Sequence, residues 1–266
     1  MSFWKTPDGC SLFYETFNLS GARPTVLFLN GSMQTTLYWR AFALKLRDRF
    51  GVVLYDARGQ GHSELGEVPL NLDLHVRDLT GLLDHLDLGH AHLCGLSHGA
   101  YVAYHLALDS PQRVDSLVLA SVSAAPTIRG RLIMRSWRET LAHGGLDALV
   151  WATLPHVFGD RFLRENRKMM DHIAQSIARR NREGHLKAHF DAMAKYRPLA
   201  KVLAPLPVRV LVLSGMEDPL VTAAGAEKIV QVSGGRHIRL PHRGHSLPAE
   251  APESFQRILE RFIEGR

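Results

Sequence analysis

Short apolar runs alternate with amphipathic stretches along most of the chain. Thr25–Leu29, Gly51–Tyr55, Ala91–Cys94, Ser116–Ala120 and Val208–Leu213 read as strands. The continuous apolar run at Thr25–Leu29 is what a strand buried on both faces needs. Leu72–Leu88 places Leu72, Val76, Leu79, Leu83 and Leu86 three and four positions apart, the spacing of one helix face. Helices are also expected over Leu37–Phe50, His98–Leu108 (ending near Ser110-Pro111), Ala223–Val232 and Pro252–Ile263, with a short strand at His237–Leu240. Phe3–Phe17 reads as a hairpin that turns at Asp8-Gly9.

Strands that alternate with helices and lack hairpin turns imply an α/β fold, a mostly parallel central sheet with helices on both faces. The alternation breaks once. From about Val122 to Ala204 the pattern is helical only. The expected organisation is a core of residues 1–121 and 205–266, interrupted by a helical cap, or lid, at 122–204.

Composition adds three things. With 45% hydrophobic and 22% charged residues in 266, a disordered or fibrous chain is excluded. No apolar run is long enough for a bilayer span or a signal peptide, and Cys10 and Cys94 are the only cysteines, so no membrane insertion and a cytoplasmic setting are expected. The net charge of +6 is concentrated: Val122–Ala204 carries 15 Lys and Arg against 7 Asp and Glu. That segment reads as a solvated basic surface or as a platform for an anionic substrate or acidic partner. No nucleic-acid-binding module accompanies it.

The sharpest motif is Gly95-Leu96-Ser97-His98-Gly99, set between a strand and a helix. A G-x-S-x-G sequence in that context exposes its serine on a strained turn, and glycines flank it because larger residues would meet neighbouring backbone. A serine hydroxyl needs a general base, and the base needs an orienting carboxylate. Asp218 follows the strand Val208–Leu213, with Glu217 as its adjacent rival, and His245 follows the next strand, behind Gly244. Both fall on loops after strands, where open α/β sheets build their sites. An oxyanion hole is expected from the N–H of His98 and from the loop Asn30-Gly31-Ser32-Met33, with Ser32 preferred to Met33 as donor and Gly31 allowing a tight turn. His185 and His189 lie one helical turn apart without a further ligand set, so they read as surface histidines. No metal and no organic cofactor is expected.

These residues resemble the α/β-hydrolase superfamily over nearly the whole chain. The marks are Asn30-Gly31-Ser32, the D-x-R-G-x-G-x-S block at Asp56–Ser63, the turn at Ser97, Asp218, and Gly244-His245. The resemblance implies Ser97 as nucleophile, His245 as base, Asp218 as its orienter, and 122–204 as the cap over the pocket. Asn30 stands where the family usually has histidine. In that it looks like 3-oxoadipate enol-lactonases and certain acyl-carrier-linked 3-hydroxyacyl transferases and synthases. His98, where an apolar residue or Gln is common, is expected to pack under the cap.

The function this implies is hydrolysis of a carboxylic ester, thioester or lactone of a small acyl substrate through an acyl-enzyme. An acyltransferase or thioesterase working on a carrier-protein-linked acyl group is the alternative: Arg129, Arg131, Arg135 and Arg138, several on one helical face, would steer an acidic carrier. A non-catalytic ligand receptor on the same fold is the third. Trp137, Trp151, Leu154, Phe158 and Phe162 read equally as pocket lining or as cap core.

Overall fold

The computed structural model describes residues 2–19 and 23–265. Eight strands form one sheet: β1 (Ser2–Lys5), β2 (Ser11–Phe17), β3 (Thr25–Leu29), β4 (Gly51–Tyr55), β5 (Ala91–Leu96), β6 (Val114–Ala120), β7 (Arg209–Gly215) and β8 (Arg236–Leu240). Their order is β1-β2-β4-β3-β5-β6-β7-β8. The hairpin β1–β2 and the β2–β4 pair are antiparallel, and all later pairs are parallel.

The helices are α1 (Arg40–Leu46), α2 (Leu72–His85), α3 (His98–Asp109), α4 (Ile128–Val157), α5 (Asp160–Glu165), α6 (Met170–Arg179), α7 (Glu183–Met193), α8 (Ala223–Ser233), α9 (Leu247–Glu250) and α10 (Pro252–Ile263). Alternate residues of each central strand feed opposite faces. Leu27, Leu29, Val53 and Tyr55 meet α2, α3 and α8, while Val26, Phe28, Val52 and Leu54 meet α1 and α10. Both faces are therefore apolar, which is why the strands are visible as continuous apolar runs.

The expected helix at Leu37–Phe50 is shorter than its apolar spacing suggested: a single 3-10 turn at Thr36–Tyr38 precedes the seven-residue α1. The ring of Trp39 at the junction is fully buried beside Phe28, Phe42 and Phe255, so tertiary packing governs this stretch.

Helices α4 to α7 all lie between β6 and β7 in the chain and contain no strand. α4 is broken at Gly145, whose φ of 76° is incompatible with a continuous helix. These helices carry two small apolar clusters, one around Ile133, Trp137, Leu149 and Phe190, the other around Val150, Leu154, Phe158 and Ala174. Among the described residues no helix is long and apolar enough to cross a membrane.

Candidate active site

The strand order reverses at β4-β3-β5. The loops after β3 and β5 diverge there and leave a crevice at the carboxyl end of the sheet. Ser97 sits in that crevice, at φ 52° and ψ −110°, as the residue entering α3. This is a conformation that a residue with a Cβ rarely adopts. Its backbone N–H donates to the Ala120 carbonyl at 2.9 Å, and its own carbonyl accepts from the N–H groups of Ala100 and Tyr101. The flanking glycines follow from sterics: a Cβ on Gly95 would stand 2.5 Å from the Gly99 carbonyl, and one on Gly99 would run into the backbone of Leu29.

Asp218 and His245 meet. The Nδ1 of His245 lies 2.7 Å from the Oδ2 of Asp218, whose side chain is fully buried. The other oxygen, Oδ1, accepts from the N–H groups of Leu220 (2.8 Å) and Val221 (3.1 Å). A carboxylate only accepts, so Nδ1 carries the proton and Nε2 is left with its lone pair. Glu217, the rival, points elsewhere: its Oε2 accepts from the Asp160 N–H at the start of α5, 2.8 Å away.

The loop bearing His245 is pinned by a residue the sequence reading passed over. Buried Glu250 accepts from the N–H groups of Gly159, Gly244 and Ser246. The same packing accounts for Gly244. Its φ is not left-handed; a Cβ there would stand 2.6 Å from the Gly159 nitrogen. Close approach of two backbones, rather than a sharp turn, demands glycine. Gly31 is similar: Met33, at φ 65°, takes the left-handed turn, and a Cβ on Gly31 would crowd the Leu96 carbonyl at 3.3 Å.

The Asp56–Ser63 block holds the Asn30–Met33 loop in place. Asp56 is fully buried. Its Oδ1 accepts from the Thr36 N–H (2.7 Å) and the Asn30 amide (3.2 Å), and its Oδ2 from the His62 N–H (3.0 Å). Burial pushes its carboxyl up to about 6 despite these donors. Asn30 also donates to the Tyr55 carbonyl, and the Gln60 amide donates to the Gly31 carbonyl at 2.9 Å. Asn30 is thus a tie between β3 and β4.

Arg58 of the same block is 1% exposed. It is gripped by Asp78, at 2.6 and 2.9 Å, and by Asp8, at 2.6 and 2.7 Å. The hydrogen bond from Arg58 holds the Asp8 carboxyl well below the usual carboxylate range. The signal for this network was Asp78 itself, a charge on the apolar face of α2.

Two cavity lobes meet at Ser97 and His245. The larger, about 470 Å³, is also walled by His98, Tyr101, Arg131, Arg135 and Arg138. The smaller, about 130 Å³, is lined by the Gly31–Thr35 loop with Trp137 and Phe158. Three of the four candidate arginines therefore reach the cavity, and Arg129 is not among its lining residues. Arg138 is engaged by Asp191 at 2.6 Å, whereas the Arg131 guanidinium donates to the Pro126 carbonyl. Of the other aromatics between β6 and β7, Phe162 stacks on Phe158 and Trp151 is 48% exposed. Leu154 packs in the core between α4 and α6.

His98 packs as expected, yet not among apolar groups. Its ring lies against those of His75 and His189, and its Nε2 is 3.2 Å from the Tyr196 hydroxyl. His189 is buried, so its reading as a surface histidine is corrected; His185, on the same helix, is half-buried. His75 was missed altogether, although it sits at a core position of α2 between Leu72 and Leu79.

Comparison with known proteins follows this geometry. A family model described as the alpha/beta hydrolase fold matches residues 24–252. The chain is 25% identical to 3-oxoadipate enol-lactonase 2 of Acinetobacter baylyi, over 96% of this chain and 94% of that protein. It is 26% identical to a bifunctional esterase/perhydrolase of Acinetobacter calcoaceticus, over the full length of both. The crystal structure of an enol-lactonase from Burkholderia xenovorans superposes with a TM-score of 0.89 at 23% identity, covering 99% of this chain and 100% of the other; at that identity the likeness is one of fold. With its eight-stranded sheet and the match over most of its length, the chain belongs to the alpha/beta hydrolase fold family and is a hydrolase.

Proposed function

We propose that this hydrolase cleaves small carboxylic esters or lactones bearing an anionic group, through an acyl-enzyme on Ser97. The observation that carries the reading is the shared cavity wall of Ser97 and a His245 whose Nδ1 is held by buried Asp218. The Oγ of Ser97 attacks the carbonyl carbon while Nε2 of His245 takes its proton. The carbonyl oxygen, now negative, is held by the N–H groups of His98, at the start of α3, and Ser32. Collapse expels the alkoxide, which receives the proton from His245. In a lactone the alkoxide stays tethered to the acyl group. Water, deprotonated by His245, then releases the acid and restores Ser97.

Residues 122–204 act as the cap in this reading. Arg131, Arg135 and Arg138 of α4 supply positive potential at the larger lobe, which suits a substrate carboxylate. Exposed Arg129, outside the cavity wall, supports a docked acidic carrier as the second reading. Buried, unpaired Cys10 and Cys94 fit a reducing cytoplasm.

The test is turnover of chromogenic ester and lactone series by the wild type and Ser97→Ala, with fluorophosphonate labelling of Ser97. Turnover and labelling lost together in the variant are expected. Turnover that survives in Ser97→Ala overturns the acyl-enzyme. An Arg131→Gln variant should raise KM for half-esters of dicarboxylic acids and leave neutral esters unchanged. Strong salt dependence confined to carrier-bound substrates would favour the second reading.

A further inference from the structure

Behind the nucleophile turn lies a cluster that the hydrolytic chemistry does not use. His75 of α2, His98 of α3 and His189 of α7 are all at most 2% exposed. One ring nitrogen of each lies within 4.8 Å of the corresponding nitrogens of the others. Buried polar atoms almost always have partners, yet neither nitrogen of His75 has one, and neither does Nδ1 of His189.

The tautomer of His189 is fixed from outside the cluster. Nε2 of His189 is 2.5 Å from the Arg58 carbonyl. A carbonyl only accepts, so Nε2 bears the proton and the orphaned Nδ1 has its lone pair free. Nε2 of His98 lies 3.2 Å from the Tyr196 hydroxyl, a group that can either donate or accept. An outer hydrogen bond to a carbonyl that fixes one ring nitrogen and frees the other, as at His189, is an arrangement found in metal-ligating histidines.

The three rings are also kept neutral, the form in which imidazole ligates. Burial pushes His98 down to about 3 and His189 down to about 4, and holds His75 well below the ordinary imidazole range. Arg58, whose charge bears on His75, is itself balanced by Asp8 and Asp78, so the cluster is not forbidden to a further positive charge.

We propose that His75, His98 and His189 form a buried transition-metal site for Zn2+ or a similar borderline cation, joining α7 to the helices beneath it. Three nitrogens no more than 4.8 Å apart all lie within ~2.8 Å of a common point. Zn–N bonds of ~2.0 Å then require each ring to move inward by less than ~1 Å. A water molecule completes a tetrahedral set. The site is independent of the hydrolytic reading, and because His98 directly follows Ser97, occupancy anchors the start of α3.

The test uses the full chain, stripped with a chelator and titrated with Co2+ as a spectroscopic substitute for Zn2+. One equivalent should bind with the intense ligand-field bands of a four-coordinate ion, be displaced by Zn2+, and raise the melting temperature. His75→Gln and His189→Gln should each abolish the bands and the shift. His185→Gln, in the same helix, and His245→Ala should retain both. Only the weak bands of six-coordinate Co2+ in the wild type would overturn the proposal, with no need for the variants to fold. Bands kept in His75→Gln and lost in His245→Ala would overturn it too, by locating the metal at the catalytic histidine.

Discussion

Replacing Asp218 with asparagine isolates the electrostatic part of the site at almost constant shape. Asp218 uses its two oxygens differently. Oδ1 takes the N–H groups of Leu220 and Val221, at 2.8 and 3.1 Å, and Oδ2 faces Nδ1 of His245 at 2.7 Å. Asparagine has one oxygen. Turning its amide nitrogen toward the two backbone N–H groups would leave both unpaired at ~1–3 kcal/mol each. The oxygen therefore stays there, and the NH2 faces Nδ1. A donor facing Nδ1 forces that nitrogen to accept, the ring proton moves to Nε2, and the base has no lone pair for Ser97. The expected loss is about 10⁴ in kcat, or ~5.5 kcal/mol in the barrier, with the melting temperature nearly unchanged. Steady-state turnover of the best ester, with a thermal melt of the same sample, measures both. Glu217→Gln is the control, since Glu217 faces the Asp160 N–H and His242 rather than His245, and this variant should keep activity within a few-fold. A folded Asp218→Asn enzyme within ~10-fold of wild type would refute the reasoning.

Three other outcomes follow from the same structure. Asp78→Asn leaves Arg58 buried with only Asp8 as a charged partner and should cost ~3–5 kcal/mol in urea unfolding. Gly99→Ala drives a methyl group into the backbone of Leu29, and a loss of at least ~2 kcal/mol is expected in the same assay. Stability of metal-free protein should fall in acid for a reason traceable to the histidine cluster. His98 and His189 stay neutral when folded down to about 3 and 4, against 6.5 for an ordinary imidazole. The unfolded chain therefore binds more protons below pH 6.5, and stability is full above that value and drains as pH falls toward 4. Each of the pair contributes ~2 kcal/mol of loss by pH 5. His189→Phe should flatten the slope between pH 7 and 5; an unchanged slope in a folded variant would contradict it.

Features set by near neighbours in the chain were legible in the sequence. The central strands were visible because both of their faces are covered: every residue of Thr25–Leu29 and Gly51–Tyr55 is buried, and most are apolar. The turn at Ser97 was legible because part of its constraint is local: a Cβ on Gly95 would collide with Gly99 four residues on, while Gly99 is required by the backbone of Leu29. Tertiary structure decided what depends on distant partners. It separated Asp218 from Glu217 by aiming one at His245 and the other at α5. It gave Gly244 its reason in the backbone of Phe158–Gly159, and shortened the helix near Trp39 through contacts with Phe28 and Phe255. It also brought His75, His98 and His189 together from three helices. Spacing rules act within one element. A charge network such as Asp8–Arg58–Asp78 or a histidine cluster forms only when loops and helices far apart in the chain close on the same few ångströms, and no local pattern encodes that meeting.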